Sequence, residues 1–399
     1  MLFDDSEVIE IELGLAKAKW SSEELGRFSF ELIEKKMFEV LPVNFGVVDE
    51  SVGYYKKFRE HSMMIADGSS VELENILPLG SEPKIVKNYE LMGNHIKLIT
   101  DVQTPNGFSA DRLSVDSMSF DRALYRRYAI VNFPKSGDSE LGDKIVWNDL
   151  PEGDIVLFSE PEPFMVFLLE SVDGQVIEVG TGDDFWRWCI SKDYPGTTAE
   201  FKLEIINNKI VLVRNIIVLD SSGEMQLDCR NWRFKWYIAW ETKVERDEEL
   251  LPPEKRYELG IKSGKSFYDA DEVAKPDFTF MKDGWRKDSK VLINKKETEN
   301  VCFHSNSVRN YYRHLVRSAL NRYPNDDISI TGLRPHFCDV ASHLNRKERE
   351  SLLHWDILAL FDFWTWGNKQ TAKNEQKLRL FIKSDNLIED LPSMRGLSR

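Results

Sequence analysis

The sequence predicts an α+β protein: a mixed N-terminal region, a central antiparallel β-meander and a helical C-terminal domain. Three observations predict this. Apolar residues recur at helical spacing behind a capping box near the N-terminus, short apolar runs separated by hairpin dipeptides fill the centre, and 3.6-residue periodicity returns after residue 303. With 399 residues, 42% of them hydrophobic, the chain is long enough for more than one buried core.

In chain order, Ser21-Ser22-Glu23-Glu24 has capping-box spacing, and Leu25, Phe28, Leu32, Ile33, Met37 and Leu41 follow on one helical face, so a helix is expected over 22–41, stopped by Pro42. A short helix is expected after Asp49-Glu50-Ser51, with Tyr54, Tyr55 and Phe58 on its apolar side. Residues 85–102 read as strand pieces (Ile96, Leu98, Thr100), and Phe120–Tyr128 as helical. From 145 to 243 the pattern is β: hairpins are expected at Asp173-Gly174 and Asn207-Asn208, and a turn at Ser221-Ser222-Gly223. Trp232, Phe234, Trp236, Ile238 and Trp240 alternate with Arg233, Lys235 and Tyr237, which predicts a half-buried strand with a solvated basic face. Pro252-Pro253, Gly260, Gly264 and many lysines make 251–300 linker-like. The expected division is 1–140 (acidic, mixed), 141–250 (β-rich), 251–300 (polar linker) and 301–399 (helical, basic-leaning).

Charge divides the same way. Residues 251–399 hold 26 Lys+Arg against 21 Asp+Glu, a balance of +5, while residues 1–250 hold 27 against 46, a balance of −19. Polyanion binding by the first 250 residues is disfavoured, and an acidic body suits a protein partner instead. Cys189, Cys229, Cys302 and Cys338 form no C-x-x-C pair, which fits a reducing cytoplasm. No apolar run is long enough for a membrane helix, and the acidic start lacks the features of a signal peptide. No phosphate-loop, dinucleotide, nucleophile-elbow or zincin motif is found, and no cofactor is expected.

After His304-Ser305-Asn306-Ser307, the residues Val308, Tyr311, Tyr312, Leu315 and Ala319 define an amphipathic helix, with Arg309, Arg313 and Arg317 at i, i+4, i+8 on another face. A ridge of arginines can hold phosphates through forked hydrogen bonds. A turn at 323–327 and Ile328–Thr331 follow. A helix is then expected through ASHLNRKERESLLHWDILALFDFW, ended by Gly367, with another beginning in TAKNEQKLRLFIKS.

The order of these features over 308–367 resembles the end of the tyrosine recombinase (phage integrase) catalytic domain. The residues that carry the resemblance are Ile330-Thr331-Gly332-Leu333-Arg334, Phe337, Leu352-Leu353-His354 and Phe363, nine positions after that histidine. In the family, H-x-L-R and L-G-H supply an arginine and a histidine to the scissile phosphate, and a tyrosine attacks it. The resemblance therefore implies Arg334 and His354 on phosphate, Thr331 at the first histidine's place, and Phe363 at the nucleophile's. Phenylalanine has no oxygen to attack with, so it implies a DNA-binding pseudoenzyme, such as an accessory protein of a mobile element. The family's remaining arginine and lysine have only Arg230, Lys262, Lys265 and Lys287 as candidates, none within a motif.

Two rival constellations compete. Arg309-Asn310-Tyr311-Tyr312-Arg313-His314 fits the R-N-x-x-x-H string of HEPN-type ribonucleases, which implies Arg309 and His314 as catalytic groups. His336, Cys338, Asp339 and His343 cluster in sequence but lack the tight paired spacing of a zinc site, so no metal is expected. A non-enzymatic scaffold working through the acidic residues 1–250 is the third reading.

Overall fold

The computed structural model describes residues 8–13, 16–21, 28–32, 35–41, 44–46, 62–66, 70–75, 84–103, 109–110, 112–132, 145–160, 164–181, 197–218, 225–226, 231–248, 256–260, 303, 306–333, 337–338, 354–355, 357–382 and 390–399. The chain forms two compact units. Unit 1 comprises Met1–Asn132 and Trp147–Ile238; unit 2 comprises Phe133–Val146 and Ala239–Arg399.

Unit 1 is built from two large antiparallel sheets. The first holds β1 (Val8–Leu13), β2 (Ala16–Ser21), β3 (Phe28–Leu32), β4 (Lys35–Val40), β5 (Asn44–Gly46), β11 (Arg112–Ser114), β12 (Met118–Asp121), β15 (Ile155–Glu160), β18 (Thr197–Ile206) and β19 (Lys209–Val218). Its order is β1-β2-β3-β4-β12-β19-β11-β5, with β18 pairing both β19 and β15. The second holds β6 (Ser62–Ala66), β7 (Ser70–Asn75), β8 (Lys84–Met92), β9 (His95–Gln103), β13 (Tyr125–Asn132), β14 (Asn148–Asp149), β16 (Phe164–Ser171), β17 (Val176–Thr181) and β21 (Asn231–Glu241). Its order is β14-β13-β16-β17-β21-β9-β8-β7-β6. A separate pair joins β10 (Ser109–Ala110) to β20 (Met225–Gln226).

Alternation explains these strands. In β8, Ile85, Lys87, Tyr89 and Leu91 are buried while the residues between them are half-buried; in β9, Ile96, Leu98, Thr100 and Val102 are buried in the same way. The sheets meet through rings. Phe38 of β4 lies 5.8 Å from Phe120 of β12, and Phe120 lies 6.1 Å, edge to face, from Phe167 of β16 in the second sheet. Phe201 of β18 likewise meets Trp236 of β21 at 6.2 Å. The buried Tyr125 hydroxyl donates to the Met37 carbonyl at 2.8 Å, and burial holds that phenol well above its ordinary pKa.

The mixed N-terminal region must be corrected. Where a helix was expected over 22–41 the chain forms the hairpin β3–β4, whose pairing shifts at Phe30/Glu31. The apolar residues that satisfy period two there, Phe30, Phe38 and Val40, are a different set from the expected helical face, and all three are buried. The expected helix at Phe120–Tyr128 is β12, a 3-10 turn (Arg122–Leu124) capped by Asp121, and β13. The short helix expected after Asp49 and the turn at Ser221 lie outside the described residues. Both expected hairpins are present. Gly174 takes φ +85° between β16 and β17, and Asn207 and Asn208 take φ +50° and +60° between β18 and β19, the left-handed pair that a tight hairpin demands. In β21 the second face is not solvated along its length. Tyr237 is buried and donates to buried Glu178 at 2.8 Å, and Arg233 pairs with Asp101. A Cβ on Gly180 would stand 2.0 Å from the Tyr237 ring, so β17 needs glycine at that crossing.

Unit 2 is not the helical domain expected. Three parallel strands, β22 (Arg256–Gly260), β23 (Asp327–Leu333) and β26 (Leu378–Ile382), run in that order, and helices precede the second and third. The helices are α1 (Lys243–Asp247), α2 (Asn306–Arg322), α3 (Ile357–Thr371) and α4 (Pro392–Leu397). Parallel strands need crossovers, and α2 and α3 supply them. Of the helix expected from Ala341 to Trp364, the described part begins only at Ile357; His354 and Trp355 form β25, paired with β24 (Phe337–Cys338). Gly367 does not end α3. It is buried within the helix, where a Cβ would stand 2.0 Å from the Leu378 side chain, so glycine lets α3 lie close on β26. The last expected helix is instead a 3-10 turn (Ala372–Asn374), Glu375 at φ +57°, and β26.

Side chains finish the outer rim of β26. Asn368 of α3 accepts the Leu378 N–H at 3.0 Å and donates to the Leu378 carbonyl at 3.2 Å, and the Ser398 hydroxyl donates to the Leu380 carbonyl at 2.9 Å. Arg395 holds buried Glu241 at 2.7 Å and donates to the carbonyls of Glu245, Arg246 and Glu248 at the end of α1. Arg399 reaches Glu241 and, at 2.8 Å, Glu245. Burial raises the Glu241 pKa against the opposing pull of these two arginines.

Candidate functional site

The polar hollow that stands out in unit 1 lies at the β18–β19 turn. Adjacent strands β4, β12 and β19 pair Ser119 with Glu39 and Asp121 with Lys209, and so set four polar side chains on one face while Phe38, Phe120 and Ile210 take the core face. A hollow of about 340 Å³ is lined by Met37, Phe38, Glu39, Ser119, Asp121, Asn207, Asn208 and Lys209. Lys209 Nζ stands 3.6 Å from Glu39 Oε2. A second hollow of about 400 Å³ is lined by Arg122, Pro151, Glu152, Asp154, Ile205 and again Asn208.

The lining is held in place from several sides. Asp121 accepts the Ala123 N–H at 3.0 Å, the Arg122 N–H donates to the Asn208 carbonyl at 3.2 Å, and the Asn207 N–H donates to Asp154 at 3.0 Å. Arg122 also donates to the carbonyls of Tyr125 (2.9 Å) and Leu150 (2.7 Å). The site thus offers donors (Lys209 and two amides) and acceptors (Asp121, Glu39 and the same amides). The hairpin was legible in the sequence; the use of its asparagines was not, because nothing local shows which strands flank them.

A second polar group is buried between the sheets. Asp116, at φ +49°, stands 3.7 Å from both Lys87 of β8 and Arg214 of β19, and the Arg214 guanidinium lies 4.2 Å over the Trp236 ring. All three charged side chains are at most 1% exposed. Glu170 and Glu178 are buried as well, so part of the acidic excess of residues 1–250 is interior rather than surface. Glu170 pairs with Arg126 at 2.9 Å and with Arg127.

The residues singled out from the sequence fare differently. Arg334, His336, Asp339 and His343, and the candidates Arg230, Lys262, Lys265 and Lys287, lie outside the described residues. His354 sits in a strand, opposite Cys338, where the recombinase resemblance implies a helix. Phe363 is 0% exposed, with Phe303 at 5.1 Å, Trp366 at 5.8 Å and Tyr312 at 6.4 Å from its ring. It is a core residue, so the nucleophile's seat is filled with hydrocarbon and not open to a phosphate. Burial also lifts Tyr311 to about 12 and Tyr312 further, keeping both phenols protonated. Arg309 is occupied by the Phe303 carbonyl (2.9 Å) and Asn306, and His314 is exposed. Five residues on a helix place Arg309 and His314 about 140° apart. Arg313 and Arg317 both lie 5.3 Å from the Trp366 ring centroid. Among the described residues no group of three His, Cys, Asp or Glu is placed to hold a metal ion, and no helix is long and apolar enough to cross a membrane.

No family model matches the chain, and no curated protein matches it. Among solved structures it is similar to a galactose mutarotase-like protein of Lactobacillus casei, at 12% identity and TM-score 0.38 over 59% of this chain and 100% of that one. It is similar to a galactose mutarotase-related enzyme of Lactobacillus acidophilus at 10% and 0.35, over 59% and 98%. It is also similar to an α-N-acetylgalactosaminidase of Bifidobacterium bifidum at 11% and 0.37, over 94% of this chain but 58% of that one. The strand at His354, the parallel sheet in unit 2 and the burial of Phe363 withdraw the integrase and DNA-binding assignments. At such TM-scores the three likenesses assign no activity to this chain.

Proposed function

We propose that unit 1 is a binding module for a neutral, polyhydroxylated ligand of the carbohydrate class, received in the groove beside the β18–β19 turn. The observation that carries this is the groove's lining: hydrogen-bond donors and acceptors interleaved around about 340 Å³. A sugar ring presents the complement, with vicinal hydroxyls that both donate and accept. Both carboxylates are already engaged, Glu39 with Lys209 and Asp121 with the turn that follows it, which suits recognition rather than proton transfer. Asn208 lines both hollows, so a ligand longer than one ring has a second place to continue.

Titration calorimetry with neutral mono- and oligosaccharides tests this. Asn207→Gly and Asn208→Gly preserve the left-handed turn while removing the amides. Each is expected to weaken binding about tenfold, the loss of one good hydrogen bond to a polar ligand, at unchanged melting temperature. Absence of saturable binding by any saccharide, or full affinity in both variants, overturns the proposal.

A further inference from the structure

We propose a second binding site, independent of that groove and located in unit 2, for an oxyanion (the carboxylate or phosphate group of a small molecule) on Arg313, Arg317 and Trp366. Arg313 and Arg317 stand one turn apart on α2, where like charges repel. Both guanidinium carbons nevertheless lie 5.3 Å from the centroid of the same indole, that of Trp366 on α3. The ring's negative face draws two cations together. The indole is itself fixed, because Trp366 lies 5.8 Å from Phe363, which is locked between Phe303 and Tyr312. The aromatic core therefore positions the platform before any ligand arrives.

Among the described residues neither guanidinium meets a carboxylate. The polar contact to Arg313 is a 3.5 Å hydrogen bond to Asn310, and its Nε is buried with no acceptor there. Arg317 is exposed. Arg309, the third arginine of the ridge, is excluded by its bonds to Phe303 and Asn306. Two adjacent, oriented forks of N–H donors without a counter-charge are complementary to a planar carboxylate or a tetrahedral phosphate.

The test follows the indole N–H resonance of Trp366 in the full-length protein, identified by its loss in Trp366→Phe. Inorganic phosphate, malonate and sodium chloride are titrated in parallel at matched ionic strength. A saturable shift with phosphate, malonate or both, absent with chloride, is expected, and the responding anion tells which oxyanion source is preferred. Arg313→Gln and Arg317→Gln should each weaken binding about tenfold, as for loss of a charge-assisted fork, while Arg322→Gln on the same helix should not. Arg317 is exposed, so its variant keeps the fold intact. No saturable shift, an equal response to chloride, or equal weakening by Arg322→Gln overturns the proposal.

Discussion

His95 shows what one buried residue does to the response of the whole chain to acid. At the head of β9 it is 1% exposed, and burial, helped by nearby Lys97, lowers its pKa to about 3. The unfolded chain binds a proton at this imidazole near pH 6.5 and the folded one does not, so its contribution is intact above that pH and is lost as pH falls. Wild type is expected to lose about 1.4 kcal/mol of stability per pH unit between about pH 6 and 3 relative to His95→Asn, as measured by denaturant titration at each pH. At this scale the sequence was partly readable. Lys87 and Arg214 occupy inward positions in strands whose other inward residues are apolar (Ile85, Tyr89 and Leu91; Ile210 and Leu212), and that mismatch alone marks buried charge. Asp116 carried no such sign, because it lies between two short strands and its neighbours arrive from distant segments.

Among the elements, hairpins were legible and the helix-or-strand choice was not. Asn207, Asn208 and Gly174 declare left-handed backbone by their chemistry, independent of what surrounds them. Leu25, Phe28, Leu32, Ile33, Met37 and Leu41 fit a helical template while Phe28, Phe30, Phe38 and Val40 fit an alternating one; sheet pairing with β12 decides between them, and pairing is not local. The resemblance around His354 and Phe363 failed for the same reason, since spacing along the chain was taken for spacing in a helix. The β17–β21 crossing tests how tightly neighbouring strands depend on one another. Gly180→Ala is expected to cost about 1–3 kcal/mol, because the new methyl must displace the Tyr237 ring and with it the bond to Glu178. Thermal unfolding measures it, and Tyr237→Phe/Gly180→Ala should cost less than the sum of its parts.

At the scale of the molecule, two units with different sheet types were beyond the reach of periodicity, which does not report strand order or direction. Within unit 2, Arg395 and Arg399 meet over Glu241, and removing Arg395 leaves that buried carboxylate only the longer, 3.4 Å contact to Arg399. Arg395→Ala is expected to destabilise unit 2 by about 3 kcal/mol. Hydrogen exchange should show protection lost in 239–248, 378–382 and 390–399 and retained in β8, β9 and β19. The Asn368 amide has a consequence of another kind. It imitates one peptide of an adjoining strand, satisfying both backbone groups of Leu378 where a sheet is otherwise adhesive. With the Ser398 hydroxyl on the Leu380 carbonyl, this amide leaves fewer backbone groups on that rim of β26 for a foreign strand to pair with.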